Sequence, residues 1–254
     1  MADTTIIDGR HTYRVQTLGR VFGWFFLATF FTSIPAYFIG YAKMLHNPSL
    51  ITGGADPTTR IATGAALETL LIIANVATAV VAYPVLKRES EMGAIGYVSA
   101  RLVEAIFIAI GIVGALAFLL MRQDATAVAT PALGDAFDSL YYRAFLLGPG
   151  FFAGLANGVI LGYLMYRSEL VPRGMTWLGL IGGPLVMITG IALMFDVIER
   201  QSPVQVIATI PEFFWELSLS IYCIVKGFRL SSPVLRRDTV TMLPESDSAL
   251  RSEA

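Results

Sequence analysis

GAIGYVSARLVEAIFIAIGIVGALAFLL, residues 93–120, is an apolar run broken by two charged residues only, Arg101 and Glu104. It exceeds the ~20 residues that an α-helix needs to cross the hydrocarbon core of a bilayer. The surrounding chain has the same character. Of its 254 residues 55% are hydrophobic and 15% charged, against about a quarter charged in a typical soluble domain. The charges gather in short clusters between apolar stretches.

Reading outward from residues 93–120 gives six spans: Val21–Ala42, Ile61–Leu86, Gly93–Leu120, Pro149–Tyr166, Met175–Phe195 and Val206–Lys226. Each is expected to be helical, because a backbone facing lipid must satisfy its hydrogen bonds within its own segment. A closed barrel would need short alternating strands, and these runs do not alternate. The expected fold is all-α, a polytopic transmembrane helical bundle in contact with the lipid bilayer. Lys and Arg set its orientation. One side of the six spans collects twelve of them, from Arg10, Arg14 and Arg20 to Arg236, Arg237 and Arg251; the other collects five, Lys43, Arg60, Arg122, Arg143 and Arg200. Both termini are therefore expected in the cytoplasm.

The organisation follows. Residues 1–20 form a polar cytoplasmic segment without the apolar core of a cleaved signal, residues 21–229 the membrane domain, and residues 230–254 a polar tail expected to be disordered. The loops 43–60 and 121–140 should lie outside, with DAFDSLYYRAFLLG along the interface and Tyr141 and Tyr142 at headgroup level. A formal net charge of -1 gives no basic footprint for nucleic acid. Cys223 is the single cysteine, so no internal disulfide forms.

Why Arg101 and Glu104 sit inside an apolar run is the functional question. Ionisable residues cost about 2.5–3.5 kcal/mol each at the centre of a span and normally face the bundle interior or water. Glu68 in span two and Glu212 and Glu216 in span six pose the same problem. Arg101 and Glu104 at i,i+3 can touch, and Glu212 and Glu216 at i,i+4 share a face. Glu68, Asn75 and Thr78 make a similar stripe on span two. At ~1.5 Å per residue, Glu104 lies about 16 Å deep, near the midplane, and Glu216 reaches a similar level from the opposite side. The candidate ligand-binding set is thus Arg101, Glu104, Glu216, Glu212, Glu68 and Asn75. Arg101 can neutralise one glutamate; the others must be protonated, wetted or matched by an added cation. The plainer reading is a structural network in which Arg101 pairs with Glu104 and the outer glutamates reach toward headgroups.

Span four, GFFAGLANGVILG, spaces Gly150, Gly154, Gly158 and Gly162 by four. One helix face without side chains lets another backbone approach closely, and helix packing is the expected use. Gly148-Pro149-Gly150 either begins this helix or breaks it.

Other chemistry is disfavoured. His11 and His46, the two histidines, fall outside the spans, so paired haem ligands are not expected. No mid-membrane lysine is available for a Schiff base, and no phosphate loop, HExxH or GxSxG occurs. Carboxylates alone suit a hard cation, but nothing in the spacing makes four glutamates converge. No catalytic residue, metal or cofactor is assigned.

Four segments in order, GRVFGWFFLATFFTSI, ARLVEAIFIAIGIVGALAFLL, YRSELVPRGMTWLGLIGG and PEFFWELSLSIYCIVKGF, resemble a bacterial membrane family known as domain of unknown function 4386. The resemblance covers about residues 18 to 229. It implies a multi-spanning protein of the bacterial inner membrane and no activity. The matching Arg101, Glu104, Pro172, Arg173, Glu216, Lys226 and Gly227 mark family pattern without roles.

Three functions compete. The favoured one is a protein binding or transporting a small cationic or amphipathic molecule, or a proton, in a central cavity; transport by so few spans would call for a homo-oligomer. The second is an accessory membrane protein that contacts a partner through its helices. The third, an intramembrane enzyme using a carboxylate pair, lacks a nucleophile or a water-activating motif. Cavity geometry separates them: a cavity joining all five charged residues favours the first or third, and a closed Arg101–Glu104 pair in a dry bundle favours the second.

Overall fold

The structure is a computed structural model and describes residues 5–8, 11–41, 56–123, 131–200 and 202–235. A short antiparallel hairpin, β1 (Thr5–Asp8) and β2 (His11–Arg14), precedes the helices, with Thr5 opposite Arg14 and Asp8 opposite His11. The helices are α1 (Val15–Pro35), α2 (Asp56–Leu86), α3 (Glu91–Gln123), α4 (Pro131–Phe145), α5 (Gly162–Ser168), α6 (Arg173–Met194) and α7 (Pro203–Lys226). Six stretches are long and apolar enough to cross a membrane: Val15–Tyr41, Thr58–Leu86, Glu91–Met121, Gly134–Ser168, Arg173–Met194 and Pro203–Lys226. The expected six-span bundle is what the chain forms.

Local signals set the ends of α7. Ser202 accepts a hydrogen bond from the Gln205 amide at 3.4 Å and Pro203 follows it, a serine cap with proline in the first turn. At the other end Gly227 adopts φ 66° and ψ -165°, a backbone conformation open essentially to glycine alone. In α1, Pro35 has no amide hydrogen to donate back, and the helix continues beyond it as a wider π-helix over Ala36–Tyr41.

Two boundaries differ from the sequence reading by more than three residues. The first span starts at Val15, and the fourth at Gly134 rather than Pro149. DAFDSLYYRAFLLG does not lie along the interface. It is the first part of the fourth span, and Tyr141 is buried inside the bundle. Gly148-Pro149-Gly150 neither begins the helix nor breaks it: the chain passes through as π-helix over Leu146–Phe152 and again over Gly154–Leu161. A wider turn accommodates the missing amide hydrogen, and π segments often mark functional positions. Most of the loop 43–60 and all of the tail beyond 235 lie outside the described residues.

Each span packs against its sequence neighbours and the first closes against the sixth, giving an antiparallel ring. Two faces of this ring differ. At the terminal face, where the chain enters α1 and leaves α7, the packing is dense. Phe22, Phe26, Tyr97, Leu164, Trp215 and Leu219 belong to one large core. An added Cβ on Gly23 would stand 2.7 Å from the Ile224 amide nitrogen, so α1 and α7 meet almost backbone to backbone. Residues after Gly227 complete the seal. Gln16 donates to the Phe228 carbonyl at 3.2 Å, the Arg229 amide to the Leu170 carbonyl at 2.8 Å, and Val234 and Leu235 are buried. Toward the distal face the core thins to small clusters such as Tyr41, Ile61, Phe118 and Phe137. Phe31, Phe38, Ile73, Val113 and Ile207 stand exposed on the outside, as lipid-facing side chains do.

Candidate functional site

A cavity of ≈ 270 Å³ occupies the centre of the ring, from mid-depth toward the distal face. All six spans line it, and Glu68, Arg101, Glu104, Glu212 and Glu216 share its wall. The helix geometry explains the convergence. Glu68 and Asn75 are seven residues apart on α2, about two turns, and Arg101 and Glu104 about one on α3, so each pair faces the ring axis.

Arg101, 2% exposed, anchors the inner end. Its guanidinium donates to Glu104 Oε2 at 2.8 Å, to Asn75 Oδ1 at 2.6 Å, to the Asn75 carbonyl at 3.4 Å and to Thr78 Oγ1 at 3.3 Å. Asn75 in turn donates to Glu104 Oε1 at 3.0 Å. Arg101, Glu104 and Asn75 therefore close a triangle in which both Glu104 oxygens are taken. The guanidinium also lies 5.6 Å from the Phe26 ring centroid, a distance at which a cation is drawn to an aromatic face. The side-chain hydrogen bonds of the guanidinium all go to Glu104, Asn75 and Thr78.

Glu68 sits at the distal end between two phenols. Tyr141 donates to Oε1 at 2.5 Å and Tyr41 to Oε2 at 3.2 Å, their rings 4.6 Å apart. Tyr41 reaches it from the π-helical end of α1 and Tyr141 from α4. Tyr141→Phe is expected to cost about 1–2 kcal/mol, the upper range for a hydrogen bond inside a membrane bundle, with Tyr41→Phe costing less because its bond is longer. Thermal unfolding of the two variants in detergent checks the order.

The α7 wall is different. Glu216 accepts a hydrogen bond from Asn157 Nδ2 at 2.6 Å. Asn157 is itself held: its side-chain oxygen accepts from Tyr97 at 3.5 Å and its carbonyl from the Trp215 indole at 2.9 Å. One turn earlier Glu212 is 5% exposed, and neither carboxyl oxygen has a hydrogen-bond partner among the described residues. Its carboxyl lies over two glycines: a Cβ added to Gly158 would stand 2.7 Å from Glu212 Oε2, and one added to Gly182 2.8 Å.

The glycine ladder divides. Gly158 meets the backbone of Gly183 on α6, and a Cβ on Gly154 would stand 2.9 Å from the Gly183 carbonyl oxygen. At Gly162 the nearest atom of α6 would be 3.5 Å away, and at Gly150 the nearest neighbours are Phe145 and Leu146 of its own helix. Within the ladder, a close approach to the backbone of α6 thus occurs at Gly154 and Gly158 and not at Gly150 or Gly162.

Sequence reasoning did not place Asn157, Tyr41, Tyr141 or Tyr97 in the site, and it set Tyr141 at headgroup level. Asn157 carries a usable signal, since an amide in an apolar span needs a partner as a carboxylate does; the glycines around it drew the reading toward packing. The tyrosines carry none, because near span ends the same residue type marks the interface.

The family model described as domain of unknown function (DUF4386) matches residues 21–227, a stretch that contains every cavity residue named above. No curated protein and no solved structure matches the chain. With most of the chain covered by that match and its six spans folded into a membrane bundle, the protein belongs to the DUF4386 family.

Proposed function

We propose that this membrane protein binds a small cationic group in its central cavity, at the wall formed by Glu212 and Glu216, and that it carries a proton or an organic amine there. The bare Glu212 carboxyl carries the reading. Burial of an unpartnered ionised group is prohibitive, and Arg101, the cation nearest in the cavity wall, is engaged by Glu104 and Asn75. A proton or the ammonium of a ligand supplies what the site lacks. The Arg101–Glu104–Asn75 triangle serves best as scaffold, which assigns it to packing and leaves binding to α7. The charge bias of the flanks supports both termini inside, and the family resemblance supports a bacterial cytoplasmic membrane.

Native mass spectrometry of mildly purified protein tests the reading. Wild type is expected to retain a small basic ligand that Glu212→Gln and Glu216→Gln both lose while remaining folded, since Glu212→Gln sacrifices no hydrogen bond seen in the structure. If ligand survives in both variants, the α7 wall does not hold it and the proposal fails.

A further inference from the structure

We infer that the ligand is a lipophilic amine, an ammonium head on an apolar chain, and that it enters sideways from the distal leaflet between α1 and α7; this rests on the cation-binding reading above. A second cavity of ≈ 310 Å³ adjoins the central one on its distal side. Ser33, Ile34, Tyr37, Tyr141 and Phe145 line both, forming a shared neck. Beyond the neck the wall is made by Phe38, Tyr142, Arg200 and Gln205.

The neck is framed by the distal end of the first span and by the fourth span, and its mouth is lined by Phe38 on one side and by Gln205 at the start of α7 on the other. Near the terminal face α1 and α7 touch through Gly23; farther out they are held by the edge-on contact of Phe30 with Phe213, ring centroids 5.4 Å apart. The neck residues of α1 follow Phe30. Ile34 and Phe38 are 44% and 65% exposed on a surface that faces acyl chains, so the passage opens toward lipid as well as toward the distal end. A hydrated inorganic ion would meet mostly apolar and aromatic side chains here. An alkyl chain finds the environment it leaves behind, and at the inner end its head reaches the Glu212 carboxyl, 95% buried and without a hydrogen-bond partner among the described residues. Arg200, the cation of this mouth, does not repel such a head. It is held by Asp138 through two hydrogen bonds of 2.7 and 3.2 Å and lies 4.0 Å over the Tyr142 ring.

The test uses the full chain in phosphatidylcholine nanodiscs and calorimetric titration with dodecylammonium and butylammonium, with empty nanodiscs subtracted. Both amines are expected to bind wild type, and Glu212→Gln to weaken both by roughly tenfold or more, as loss of a charge-assisted contact does. Ser33→Phe, which fills the neck, is expected to weaken dodecylammonium by a similar factor and to spare butylammonium. Should Ser33→Phe not fold, Ile34→Trp places the bulk at a half-exposed site of the same neck and gives the same selective loss. If the neck variants affect both amines equally, or neither, while Glu212→Gln still weakens both, the lateral lipophilic route is overturned and the cation site stands. If wild type binds neither amine, the cation-binding reading falls and this inference with it.

Discussion

Arg101→Met is expected to destabilise the protein by roughly 3–5 kcal/mol, the cost of leaving a buried charge without its partner. The substitution removes four hydrogen bonds and strands the Glu104 carboxylate against Asn75 alone. The companion double variant Arg101→Met with Glu104→Leu should recover most of the loss, because an apolar pair escapes the desolvation that an unmatched ion suffers. Unfolding in mixed detergent micelles measures both. A single variant within about 1 kcal/mol of wild type, the range of a weak surface pair, would show that the triangle does not hold α2 to α3 and would move Arg101 from scaffold to ligand site.

Gly158→Ala is expected to cost roughly 1–3 kcal/mol, the usual effect of forcing an extra carbon into a packed interior. The added Cβ would collide with Gly183 Cα and stand 2.7 Å from both the Gly183 nitrogen and Glu212 Oε2. Backbone atoms cannot rotate away, so the fourth span and α6 must separate. The same carbon pushes on Glu212, so loss of bound amine should accompany loss of stability. Gly150→Ala is the control. Its nearest neighbour would be 3.5 Å away, and alanine favours a helix over glycine by about 1 kcal/mol, so the variant should be neutral or slightly stabilised. Equal melting of the two variants would mean that the ladder acts as a uniform face, contrary to the division seen here.

That division shows what spacing leaves open. Glycines every four residues share a stripe on an α-helix, but Leu146–Phe152 and Gly154–Leu161 are π-helical, and a wider turn rotates successive positions differently. Which glycine meets α6 depends on where α6 crosses. Tyr141 teaches a similar lesson. Aromatic residues flanking an apolar run suit the headgroup layer as well as the interior, and only the continuation of α4 into the membrane chose the interior, beside Glu68. The first span was longer than hydropathy suggested because Val15 and Gly19 pack against the base of the bundle, where Phe228 returns.

The amino-acid sequence by itself determined that this chain crosses a membrane six times, and it nominated Glu68, Asn75, Arg101, Glu104, Glu212 and Glu216. The reason is energetic and local: about twenty apolar residues in a row have few other stable states, and a charge among them stands out whatever surrounds it. Only the tertiary structure decided which charges meet. It closed Arg101 onto Glu104 and Asn75, gave Glu68 two phenols and Glu216 an amide from a distant helix, and left Glu212 at the cavity wall without a hydrogen-bond partner among the described residues. Helical period sets the face each residue occupies; who stands opposite is set by how the spans are ordered around the ring and how far each slides along its neighbour.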